Sequence, residues 1–307
     1  MADLAVEARG LVKLFDGRRV VDGIDLAVPA GSIFGVLGPN GAGKTTTLRM
    51  LLGILEPDFG ERIVLGERDP LRAAPRVGYL PEERGLYPAM NAREAIAFLG
   101  ALRGLPLAEG RRRAVRLLEE AGLGEAMDRP IRTLSKGMAQ TVQLLGTIVH
   151  EPRLIVLDEP FSGLDAINQA RLEGLIRRQV AGGATVLFST HVIAHAERLC
   201  ERIAIIKERV RFDGTVAEAR GRLPQRVRLT TRAGDGPWRA ALPADAAREA
   251  GEWSFALPAD GIEPILKALI DGEAGIDALS IERPSLHEAF VDLVGAESDD
   301  ATGAVAA

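Results

Sequence analysis

The sequence predicts an α/β protein with a parallel-sheet core, an antiparallel β subdomain and a helical subdomain, followed by a small α+β domain. Three observations carry that prediction. The runs 32–37, 154–157 and 185–188 are apolar without alternation, the pattern of strands buried on both faces of a parallel sheet. Helical periodicity at 46–52 and 168–179 alternates with those runs, as a strand–helix–strand architecture requires. Composition then shifts at Arg222, Leu223 and Pro224, and shorter elements follow. A chain of 307 residues accommodates one large domain and a smaller one.

Taken in order, residues 4–30 hold short apolar runs broken by Gly10, Gly17, Gly23 and Pro29, which predicts an antiparallel subdomain of strands and turns. Phe15 falls in one of those turns, where a half-buried aromatic is the simple reading. The strand at 32–37 leads through a glycine-rich loop into the helix at 46–52. A turn at 57–60 and a short strand at 61–66 come next, then a strand at 77–81 ended by Pro81. Helical spacing runs from 91 to about 128, with Ala95, Ile96, Phe98, Leu99 and Leu102 on one face. Arg111, Arg112, Arg113 and Arg116 precede Glu119 and Glu120 in that region, the pattern of a solvated, partly paired face. The strand at 154–157, helix at 168–179, strand at 185–188, helix at 194–200 and strand at 202–206 complete domain 1–220, whose helical subdomain spans about 83–150. Beyond it, strands at 227–230, 253–257 and 276–281 and helices at 261–270 and 284–294 make a 224–295 domain. Residues 296–307 are predicted to be disordered.

The glycine-rich loop carries the chemistry. Gly38, Pro39, Asn40, Gly41, Ala42, Gly43, Lys44 and Thr45 fit the spacing Gly, four residues, Gly-Lys-Thr, with Thr46 opening the helix. Glycines let successive N–H groups point into one concavity that holds phosphate oxygens. The following helix presents its positive dipole end to the same anion. Lys44 can bridge the β- and γ-phosphates, and the Thr45 hydroxyl can ligate magnesium. The chain is therefore expected to bind a nucleoside triphosphate. Asp158 and Glu159 end the 154–157 strand, and acids at the carboxyl end of a central strand lie beside such a loop. Asp158 is expected to hold the magnesium ion and Glu159 to orient and polarise the attacking water.

Composition narrows the setting. Apolar residues make up 47% and charged residues 26% of the chain, with a net charge of −5, so no general attraction for nucleic acid is expected. No apolar run is long enough to span a bilayer, and the start of the chain lacks the charged and apolar segments of a signal peptide. The single cysteine, Cys200, reads as a small apolar residue beside a strand. The expected place is the cytoplasm, or the cytoplasmic face of the membrane where a partner carries the chain there.

Further motifs carry a resemblance. Leu134, Ser135, Lys136, Gly137 and Met138 resemble the signature motif of the ATP-binding cassette (ABC) proteins, and 162–165 resembles their D-loop. Ser189, Thr190 and His191 resemble the switch-histidine segment, and the motifs stand in the family's order. The likeness covers 1 to about 220, and 283–290 is similar to the C-terminal extension of bacterial ATPase subunits that serve export-type permeases. The resemblance implies an ABC ATPase subunit that binds and hydrolyses ATP with magnesium. Its dimer closure would drive export through a separate integral membrane permease, docked on the helical region next to the Q-loop. It implies that Phe15 stacks on adenine, that Ser135 and Gly137 contact the γ-phosphate held by a second copy in a head-to-tail dimer, that Asp165 lies at that dimer interface, and that His191 holds the γ-phosphate and attacking water. Glu82 stands where the family's Q-loop has glutamine, a departure that retains an acceptor for water or magnesium and loses the amide donors. His150, His195 and His287 match no motif and read as surface residues. Two other readings remain: a soluble cassette ATPase acting on ribosomes or nucleic acid, and a weakly hydrolysing regulatory subunit.

Overall fold

The computed structural model describes residues 3–83 and 85–295; the expectation for 296–307 lies outside the described residues. The chain divides into two compact units, Met1–Thr215 and Val216–Ala307.

The first unit opens with β1 (Leu4–Phe15) and β2 (Arg18–Pro29), followed by β3 (Ile33–Leu37), α1 (Lys44–Leu51) and β4 (Phe59–Val64). A short α2 (Pro70–Ala73), β5 (Val77–Leu80), α3 (Ala92–Ala101), α4 (Leu107–Glu120) and α5 (Lys136–Ile148) come next. It closes with β6 (Leu154–Asp158), α6 (Ala166–Ala181), β7 (Thr185–Thr190), α7 (Ile193–Leu199), β8 (Arg202–Lys207) and β9 (Arg209–Thr215).

Two sheets share this unit. Strands β2, β1 and β4 form the antiparallel sheet, and the larger sheet runs β5-β6-β7-β3-β8-β9. Its first five strands are parallel, and β9 returns antiparallel to β8. Strands β3, β6 and β7 are buried along their whole length, which is why their sequences carry no polar alternation. Phe34, Val36, Leu154, Val156, Leu187, Ala204 and Ile206 from one face pack with α1 residues Leu48, Met50 and Leu51 and with the antiparallel sheet in a single core. On β3 itself, a Cβ at Gly35 would stand 2.8 Å from Cys200 Sγ. Cys200 is buried there, and burial pushes its thiol far above the ordinary cysteine value, so it is an inert packing group.

The helical run expected over 91–128 is broken where Gly104 takes a φ of 88° and Pro106 precedes α4. Asn91 caps α3 by accepting from Glu94 N at 2.8 Å. The arginine cluster is paired: Arg111 to Glu94 at 2.9 Å, Arg112 to Glu109, and Arg113 to Glu109 at 2.7 Å and Glu151 at 3.0 Å. The Arg111 hydrogen bond holds Glu94 below the usual carboxylate range.

The second unit contains α8 (Val216–Arg220), β10 (Arg226–Thr231), β11 (Ala247–Glu249), β12 (Glu252–Ala256), α9 (Glu263–Asp271), β13 (Ile276–Glu282) and α10 (Leu286–Gly295). Its antiparallel sheet, ordered β11-β12-β10-β13, has its own core around Val227, Leu229, Trp238, Trp253, Phe255, Ile265 and Leu269.

Candidate functional site

The loop between β3 and α1 is shaped for close approach of an anion. Gly41 and Gly43 have φ of 79° and 92°, a region L-residues with side chains rarely adopt. A Cβ on Gly38 would come within 2.3 Å of Ile206 O, and one on Gly43 within 2.7 Å of Val20 O. No side chain caps α1, so its first N–H groups remain available to a ligand. Lys44, only 6% exposed, folds back over the loop and donates to Gly38 O at 2.9 Å and Pro39 O at 3.2 Å.

The acid pair lies directly beside it, because β6 and β3 both border β7. Asp158 is fully buried. Its Oδ1 accepts from Thr45 Oγ1 at 3.0 Å and Ser189 Oγ at 2.5 Å, while its Oδ2 is buried with no hydrogen-bond partner. A buried carboxylate oxygen without a partner is costly. A hard cation held between Asp158 and the Thr45 hydroxyl satisfies it, so these residues fit magnesium. Among the described residues no group of three His, Cys, Asp or Glu side chains forms a metal cage.

Glu159 is buried in the next position, with a φ of 46°. Ser189 anchors the turn, since Glu159 N donates to Ser189 O at 3.2 Å and to its Oγ at 3.1 Å. The Glu159 carboxylate, through Oε1, stands 3.4 Å from Lys44 Nζ and 3.0 Å from His191 Nδ1. One carboxylate thus joins the phosphate loop to the end of β7.

Ser135 caps α5, accepting from Met138 N at 3.2 Å. Asp165 caps α6, accepting from Asn168 N at 2.8 Å and Asn168 Nδ2 at 2.9 Å. The two caps are neighbours: a Cβ on Gly137 would meet Asn168 Nδ2 at 2.5 Å, and one on Gly163 would meet Lys136 Nζ at 2.2 Å. No hydrogen bond joins Ser135 or Gly137 to residues 38–46 among the described residues.

The ABC transporter family model matches residues 21–162. The daunorubicin/doxorubicin resistance ATP-binding protein DrrA of Streptomyces peucetius is 36% identical over 314 residues, covering 96% of this chain and 94% of its own. The chain belongs to the ABC transporter ATP-binding proteins. The Nod factor export ATP-binding protein I of Ralstonia nicotianae is 42% identical over 206 residues, 66% of this chain and 64% of its own length. A solved structure of an ATP-binding subunit of an ABC transporter superposes with a TM-score of 0.66 at 32% identity, covering 72% of this chain and 93% of that one. This ABC subunit is an ATP-binding ATPase, and no helix among its described residues is long and apolar enough to cross a membrane.

Within that ABC site, Lys44, Thr45, Asp158, Glu159 and His191 are brought together, and Glu82 is not. Glu82 is exposed after β5 and makes no hydrogen bond to Thr45, Asp158 or Glu159. Phe15 stands at the exposed end of β1, 45% accessible, with Lys13 Nζ 5.8 Å above its ring.

Two histidines expected at the surface are not there. His150 is half-buried, with Nε2 3.3 Å from Val77 O, and burial lowers its titration below the ordinary value. His195 is 3% exposed. Its ring stacks on Phe161 with centroids 4.1 Å apart and planes 16° from parallel. Burial lowers its titration against the opposing pull of Glu173. His195 lies on α7, where it shares the buried face with Ile193, Ala196 and Leu199.

Proposed function

We propose that this subunit hydrolyses ATP with magnesium in a head-to-tail dimer and powers export through a separate membrane permease. The observation that carries the reading is the chain Lys44–Glu159–His191 beside the unpartnered Oδ2 of Asp158. Thr45 and Asp158 would hold a magnesium ion, which would supply charge neutralisation for the phosphates when bound. Lys44 has two backbone carbonyls and a carboxylate as partners before ATP arrives. A γ-phosphate would draw the Lys44 ammonium away and leave the Glu159 carboxylate a stronger acceptor for a proton from water. His191, 3.0 Å from Glu159 Oε1, would donate to the phosphate, and Glu159 would orient the attacking water.

The dimer is supported by α5. Its N-terminus carries a capped, phosphate-ready set of N–H groups, and the chain's own phosphate loop supplies none of their partners. Phe15 is exposed where an adenine ring can stack on it. The word export in the name of the Nod factor protein, and drug resistance in that of DrrA, support the direction of transport. A separate permease is supported by the relatives' names as ATP-binding proteins, and no helix among the described residues is long and apolar enough to cross a membrane. Docking is assigned to the helical region 85–128, which presents Tyr87 and Leu102 at 59% and 65% exposure.

Affinity capture from solubilised membranes with Glu159→Gln, ATP and magnesium tests the reading. Recovery of a multi-span membrane protein together with a second copy of the chain is the expected result. Recovery of ribosomal or nucleic-acid partners in their place overturns the transporter assignment while leaving the ATPase intact.

A further inference from the structure

We infer that His195 is a positioning residue for hydrolysis, setting the distance between Glu159 and His191 through a stack on Phe161; this rests on the roles proposed above for those two residues. A cavity of about 290 Å³ is lined by Glu159, Phe161, Thr190, His191 and His195, among others, so the buried imidazole and the reacting groups share one wall. Phe161 follows Glu159 and Pro160. Its ring is held between the His195 face at 4.1 Å and the edge of Phe188 at 6.0 Å, 81° from parallel. Phe188 immediately precedes Ser189, the residue that receives Glu159 N and donates to Asp158. The aromatic column therefore braces the turn in which Glu159 adopts its left-handed backbone. Such a conformation persists only when its surroundings over-determine it.

The other edge of the ring is fixed by polar groups from two helices. His195 Nδ1 stands 3.0 Å from Arg198 Nη2 and 3.5 Å from Glu173 Oε1, and Arg198 also donates to Glu173 Oε1 at 3.1 and 2.7 Å. Glu173 lies on α6, which begins at Asp165, while Arg198 and His195 lie on α7, which follows His191. His195 is the point where the turn bearing Glu159, the helix begun by Asp165 and the segment bearing His191 are tied together. An alternative use, as a surface proton carrier, is ruled out by its burial.

Full-chain variants His195→Phe and His195→Gln separate the ring face from its polar edge. With the stack as the positioning device, His195→Gln lowers kcat on the order of 10- to 100-fold while KM for ATP stays within about twofold. His195→Phe keeps the ring and restores most of the turnover. Wild-type kcat in both variants overturns the inference, and so does a loss that falls on KM instead. An equal loss in both variants, with thermal unfolding unchanged, overturns the assignment to the stack. Glu159→Gln, measured alongside, keeps the two readings apart: if it turns over at the wild-type rate, the proposed mechanism fails, whereas an inactive Glu159→Gln with a fully active His195→Gln rejects the present inference alone.

Discussion

Asp158 divides its two oxygens between structure and chemistry. Oδ1 is spent on Thr45 and Ser189, and Oδ2 faces inward with no partner. Asp158→Asn keeps an oxygen for those two hydroxyls and removes the negative charge that a divalent cation needs. Turnover is expected to fall at least on the order of 100-fold. The ATP-induced rise in unfolding temperature, a measure of binding, is expected to become the same with and without magnesium. A magnesium-dependent shift equal to the wild type would remove Asp158 from the metal site. The phosphate loop and this acid were legible in the sequence because each is a contiguous run whose chemistry depends on immediate neighbours. His195 was not, because its stacking partner Phe161 lies on another element and neither residue type announces the pairing. Glu82 is exposed after β5, and a position in a loop after Pro81 does not by itself fix where a side chain points.

Helix starts are where sequence and assembly meet. The Ser135 cap on α5 and the Asp165 cap on α6 stand side by side, with Gly137 against Asn168. Ser135→Ala removes the acceptor for Met138 N and is expected to cost about 0.5–2 kcal/mol of stability, read from the denaturant midpoint. If α5 also meets a second copy's nucleotide, the variant loses turnover and dimer closure while a single chain still binds ATP, as equilibrium binding and sedimentation can show. Retained closure would assign Ser135 a purely local role. Element boundaries were readable where a capping or breaking residue sits at the junction, as at Asn91 and Pro106. Strand β9 escaped notice because Arg209, Arg211 and Asp213 interrupt its apolar positions, and only its pairing with β8 makes it a strand.

At the scale of the molecule, stability responds to acid through its buried imidazoles. His150 and His195 both titrate below the ordinary value of 6.5 when folded, chiefly through burial. Between the folded and unfolded values the unfolded chain binds more protons, so stability rises with pH there. Their contribution is whole above about 6.5 and is lost as pH falls through the folded values. Urea midpoints are expected to drop between pH 7.5 and 5.5, by less when His150→Gln and His195→Phe are combined; an unchanged drop would place the acid sensitivity elsewhere. The α/β class was legible at this scale because three apolar strands alternate with helices, and the second unit because composition shifts at 222–224 and shorter strands and helices follow. The separation of the two cores also has a temporal meaning. Every strand of the nucleotide-binding sheets has been made once the ribosome passes Thr215. At about 5–20 residues per second, the stretch 216–295 alone takes on the order of ten seconds to synthesise. In that interval the nascent chain already owns a complete phosphate loop and acid pair, and cellular ATP can act as a folding ligand for a protein that is still being born.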